Sequence, residues 1–141
     1  MAGLVIVPAV IMSLLLGILE IEFVHNDERS YGFAWFGHAL HAIPVMFVLI
    51  FVAMNLQWAF ALVGFDISKK FWVDLGIRAI LGVIAMIKIM AASAILKGST
   101  VGEKFPHALI IGVLVAASPY IWTYAIAPFA KNIPFLGKYL S

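Results

Sequence analysis

Residues 38–64 read HALHAIPVMFVLIFVAMNLQWAFALVG, twenty-seven positions without an aspartate, glutamate, lysine or arginine. A helix needs about 20 predominantly apolar residues to cross the roughly 30 Å hydrocarbon layer of a bilayer. The stretch therefore predicts a membrane-spanning helix. Three more predominantly apolar stretches of sufficient length flank it, at 3–24, 71–96 and 106–127, the first two with a few charges. The four segments take up most of the chain, and the short alternating segments of a membrane barrel are absent. The expected fold is all-α: one integral membrane domain over residues 1–141, built as a four-helix transmembrane bundle. The tail at 128–141, with Pro128 and Pro134 among aromatics and lysines, is expected to lie along the interface.

Composition points to the same solvent. The chain is 65% hydrophobic and 11% charged, with a mean hydropathy of +1.10, whereas roughly a quarter of the residues of a soluble domain are charged. A net charge of +2 gives no reason to expect a nucleic-acid partner. The lack of cysteine removes disulfides, thiolate metal sites and dithiol redox motifs. The first segment has neither a basic leader nor a small-residue cleavage site, so it is expected to stay as an anchor. Lys69, Lys70, Arg78, Lys131 and Lys138 fall on one side of the bundle; Arg29, Lys97 and Lys104 fall on the other. The positive-inside rule then puts both termini in the cytoplasm of a multi-pass, plasma-membrane protein.

Proline and small residues punctuate the helices. Pro106 suits a first helical position. Pro44 is expected to kink the second helix, and Pro119 to bend the fourth, with Ser118 helping to satisfy the carbonyl that Pro119 frees. Gly82, Ala85, Ala92 and Ser93 share one side of the third helix, and Gly112 and Ala116 make a small-xxx-small step on the fourth, as close helix packing requires.

Chemistry gathers at the outer border. His38, His41, Val45, Val48, Val52 and Asn55 recur at alternating spacings of three and four, which makes one stripe of a helix. Polar groups in membrane helices usually face the bundle interior, so this stripe is expected to turn inward. His107 opens the fourth helix at nearly the depth of His41. Glu22 and His25 close the first helix with a Glu-x-x-His step like that of di-metal bundles, and a polar connection runs on from His25 to Gly37. His25, His38, His41 and His107 with Glu22 are thus candidate ligands for copper, zinc or iron, and His41 with His107 for a b-type haem. Glu20 shares a face with Ser13 and Gly17. Glu20, Asn55 and Lys88 are candidate stations on a proton or ion path, and a wholly interfacial role for the histidines is the alternative.

The spacing of His25 and His38, with twelve residues and Arg29 between them, resembles part of the copper-ligand pattern in the C subunit of copper membrane monooxygenases. That family carries an aspartate four residues before the first histidine, where this chain has Ile21. The match is incomplete and spans a small part of the chain.

Two other charges stand out. Lys88 falls near the middle of the third helix, where an ammonium at bilayer depth costs about 2.5–3.5 kcal/mol or more. Asp74 and Arg78, four residues apart, are expected to form a structural ion pair. No nucleophile–base pair or phosphate loop is visible, so the isolated chain is not expected to be an independent hydrolase or kinase. The expected role is an accessory or structural subunit of a larger membrane complex, such as a respiratory or metal-dependent oxidoreductase. Its expected partners are lipid and either other membrane subunits or further copies of itself. The alternatives are a self-contained metal- or haem-binding membrane protein and a small oligomeric transporter or channel for protons or ions.

Overall fold

The computed structural model describes residues 3–28, 34–97 and 104–134; of the side chains, those of 28, 34–35, 38–39 and 92–97 also lie outside the description. All described secondary structure is helical: α1 (Val7–Glu28), α2 (Ala34–Met54), α3 (Leu56–Leu62), α4 (Phe71–Lys97), α5 (Phe105–Ile121), a π-helical turn (Trp122–Ile126) and α6 (Ala127–Ala130). Among the described residues, two helices are long and apolar enough to cross a membrane, Val7–Asp27 and the continuous run Phe105–Ala130. Leu40–Met54 and Leu56–Leu62 make a third if this pair, bent by 65°, is one span.

Two antiparallel hairpins, α1 with α2 and α4 with α5, pack together through α2–α4, α2–α5 and α1–α5 contacts. Val5 meets Asn55 and Gly17 meets Ile43, twelve residues further along each chain segment, so the first hairpin keeps constant register. In the second, Asp74 meets Tyr120 and Gly82 meets Gly112, eight residues along on each side. At that crossing, a methyl group on Gly82 would stand 2.5 Å from the Gly112 carbonyl oxygen, and one on Gly112 would stand 2.6 Å from that of Gly82. Only paired glycines allow the two backbones to come so close. Met12, Met46, Ile50, Ala85, Ile111 and Val115 fill the space between the hairpins.

Several boundaries differ from expectation. His25, Asn26 and Asp27 belong to the last turns of α1 and not to a loop, since the helix runs on to Glu28. The helix expected to run from 38 to 64 breaks at Asn55, whereas α2 runs helically through Pro44. Asn55 accepts from the Val5 amide (2.6 Å) and donates to the Val5 and Phe51 carbonyls (3.0 and 2.9 Å). Its own backbone leaves the helical region (φ −111°, ψ 17°). Binding the segment before α1 outweighs continuing the helix.

The α3 end is a Schellman motif. Gly64 takes φ +75°, its amide donates to the Ala61 carbonyl (3.1 Å) and the Phe65 amide to that of Phe60 (3.0 Å). The Phe60 and Phe65 rings, 5.9 Å apart, supply the accompanying apolar contact. In the turn that follows, Asp66 accepts from both the amide and the hydroxyl of Ser68 (2.9 and 2.6 Å). Around Pro119, the Ser118 hydroxyl donates to the Val115 carbonyl (2.8 Å), the acceptor that Pro119 leaves without an amide. The Thr123 hydroxyl serves the Pro119 carbonyl (2.8 Å) where the helix widens into its π-turn. The helix then continues to Ala130, past the expected end at 127. Within the tail, residues 135–141 lie outside the described residues.

Candidate functional site

Polar side chains collect at both ends of the bundle, and each collection ties helices together. At the end where α1 finishes and α5 begins, Asp27 is almost sealed, with a side chain 2% exposed. Its carboxylate accepts from the Lys104 amide (3.1 Å), lies 2.9 Å from Lys104 Nζ and 2.7 Å from His107 Nδ1. A carboxylate at the N-terminus of α5 also faces the positive end of the helix dipole. Paired with an ammonium, Asp27 acts as acceptor, so His107 Nδ1 donates, which in the neutral ring leaves Nε2 as the acceptor atom. The imidazole lies flat on Phe23, with centroids 4.4 Å apart and planes 7° from parallel.

At the opposite end, Arg78 and Asp74 form a fork-to-fork pair through Nε–Oδ2 (2.7 Å) and Nη2–Oδ1 (2.8 Å). Arg78 Nη1 donates to the Ala53 carbonyl in the last turn of α2. The Tyr120 hydroxyl donates to Asp74 (3.0 Å). One buried ion pair on α4 thereby holds α2 and α5, and its cation sits where the α2 dipole is negative.

The candidate ligands do not come together. Among the described residues, no three His, Cys, Asp or Glu side chains are placed to hold a metal ion. Glu22 is exposed and bonded to Asn26 of its own helix (3.0 Å), and His25 is also exposed. The stripe expected to turn inward does not do so as a unit: His41, Val48 and Val52 are exposed, Val45 is half-buried and Asn55 is buried, while Ala42, Met46, Leu49, Ile50 and Ala53 form the packed face of α2. An almost wholly apolar helix has no polar side to fix its rotation, so packing shape decides which face turns inward. The side chain of His38 lies outside the described residues, as does Arg29, so the copper-like spacing is not addressed by the structure.

Glu20 is buried (3% exposed) on the face of α1 that also carries buried Ser13, and its Oε2 has no hydrogen-bond partner among the described residues. Asn55, placed on the candidate ion path, is instead committed to Val5 and Phe51. Lys88 is exposed. Counted six residues from the Gly82–Gly112 contact, it is level with Pro106 in the first turn of α5. It is therefore not at mid-bundle depth, because α4 extends beyond the start of α5. Asp27, Lys104, Tyr120 and the Ala53 carbonyl are the functional groups that the sequence reading missed. The polar run His-Asn-Asp-Glu-Arg-Ser at 25–30 and the tyrosine inside an apolar helix were the available signals.

Comparison with protein families, with curated proteins and with solved structures finds no match to this chain.

Proposed function

We propose that this chain is a four-span integral membrane protein serving as an accessory or structural subunit of a larger membrane complex. In this reading α4, 27 residues and so roughly 40 Å long, is the fourth span despite its charges. One observation carries the proposal: of the buried charged side chains described, Asp27, Asp74 and Arg78 are committed to joining helices, and Glu20 alone is not. Asp74–Arg78 holds α2 and α5, and Asp27 holds the start of α5, so neither set converges on a reactant cavity. Such ties suit a part whose task is shape. The test is gentle solubilisation of native membranes followed by mass spectrometry. The expected result is recovery with partner proteins in fixed stoichiometry. Recovery of this chain alone across mild detergents rejects the subunit reading.

The Asp27–His107 contact favours a second reading. Metal-binding histidines commonly donate one ring nitrogen to a carboxylate, which orients the other. His107 Nε2 is oriented in this way and would supply one ligand to a metal or haem completed by groups outside the described residues. Elemental analysis and the Soret region of the native particle test it. The metal or haem signal should disappear in His107→Ala, and a signal unaffected by that change rejects the reading.

A further inference from the structure

Between α4 and α5, on the side away from the other hairpin, runs a groove of about 420 Å³ with no polar atom in its lining. Leu75, Ala79 and Val83 form one wall, and Leu109, Val113 and Ala117 the other. It extends from Leu75 to Met86 along α4 and from Tyr120 to Leu109 along α5. The eleven rises between these ends on each helix make it roughly 16 Å long at about 1.5 Å per residue. Half of a hydrocarbon layer of roughly 30 Å is about 15 Å, the depth that one acyl chain fills. An open groove that is apolar throughout and about as long as one leaflet is deep suits a hydrocarbon chain.

One end of the groove carries the features of a membrane interface. Trp72, three residues before Leu75, and Tyr124, four after Tyr120, continue the two walls and are each 79% exposed. Exposed tryptophan and tyrosine favour the headgroup level. The adjoining turn presents Lys69 and Lys70, both exposed, and Lys131 follows α6. The acids at this end offset little of that charge: Asp74 is neutralised by Arg78, which leaves Asp66.

We propose that the α4–α5 groove binds one acyl chain of an anionic phospholipid, whose headgroup rests over Trp72, Tyr124 and the Lys69–Lys70 turn. This rests on the membrane reading but not on the subunit reading. The lipid would complete the outer surface of the second hairpin, where small residues leave the helices uncovered.

The test uses the full chain reconstituted in vesicles of equal phosphatidylglycerol and phosphatidylcholine, extracted in mild detergent and weighed by native mass spectrometry. One retained lipid per chain is expected, enriched in phosphatidylglycerol by about tenfold over the vesicle ratio. Filling the groove with Ala79→Leu and Ala117→Leu should abolish retention while circular dichroism stays unchanged. Lys69→Gln with Lys70→Gln should keep the lipid and lose the headgroup preference. Absence of bound lipid in the parent chain overturns the proposal, as does equal retention by the filled groove or a preference unaffected by loss of the lysines. A dimer that the filled groove dissociates, with no lipid present, overturns it in favour of a second copy of the chain. A chain that stays in the aqueous phase without detergent instead fails the membrane reading itself.

Discussion

Arg78 and Asp74 are 4% and 8% exposed, so neither charge has water to fall back on when its partner is removed. Arg78→Met leaves a buried carboxylate with only the Tyr120 hydroxyl and should cost about 3–5 kcal/mol, read as a lowered unfolding midpoint in detergent micelles. Adding Asp74→Leu should restore most of that loss, because the pair is tightly coupled. Two independent, additive losses would contradict the fork geometry. Glu20 makes the opposite case. A buried polar group without a hydrogen bond costs about 1–3 kcal/mol by mutational measures, so Glu20→Met, close in volume, should raise the midpoint. A clear drop would mean that Oε2 has a partner in the working protein. Asp66 is a solvent-side example with a pH signature. The Ser68 hydroxyl and amide hold its carboxyl below the ordinary aspartate value. The contribution of this turn is therefore complete above about pH 4, the ordinary range for aspartate. It is lost as pH falls through the lower folded value. In Ser68→Ala, NMR titration should show the Asp66 carboxyl moving back up.

Glycines test the elements, because three of them occupy three different environments. Gly64 holds φ +75° at the end of α3, so Gly64→Ala should cost about 1–2 kcal/mol for the strained backbone alone. Gly82→Ala drives a methyl group against the Gly112 carbonyl and should force α4 and α5 apart, at a cost of about 1–3 kcal/mol or more. Gly76 is exposed with nothing near it, so Gly76→Ala should be neutral or stabilising by up to about 1 kcal/mol. Thermal unfolding of the three variants in one detergent checks the order. These elements also show where sequence is informative. The helices were legible because each is a long, predominantly apolar run, and the Ser118 repair at Pro119 follows from counting back four residues. The break at Asn55 was not legible, since it depends on Val5, fifty residues away. Rotation of α2 was equally hidden, because His41 and Ala42 differ by one position and only packing chooses between them. Of the candidate site, the sequence indicated Glu20 on an inward face and Asp74 with Arg78. It could not indicate Asp27 with His107, which requires the α1–α5 contact.

At the scale of the molecule, the ties alternate between the two ends. Asn55 with Val5, Arg78 with Ala53 and Tyr120 with Asp74 gather the start of α1, the end of α2, the start of α4 and the lower part of α5. Asp27 with Lys104 and His107 joins the end of α1 to the start of α5 at the other. An up-down-up-down bundle pinned at both ends has its connections on alternating faces, and in a membrane these faces are separated by lipid. The absence of cysteine makes this directly testable, since each introduced cysteine is the sole thiol in its variant. Ser68→Cys and Asn132→Cys should react with a membrane-impermeant maleimide from one side of sealed vesicles, and Asn26→Cys from the opposite side. The bend of 65° at Asn55 gives the experiment its force. If Leu56–Leu62 turned back as a re-entrant segment, Ser68 would emerge on the side of Asn26, and the four-span arrangement would have to be abandoned. Labelling of Ser68 together with Asn132 means that α2 and α3 cross as one broken helix. The buried Arg78–Asp74 pair then sits close beneath the face that carries Lys69 and Lys70, where desolvating a paired charge is least costly and a kinked span most needs a brace.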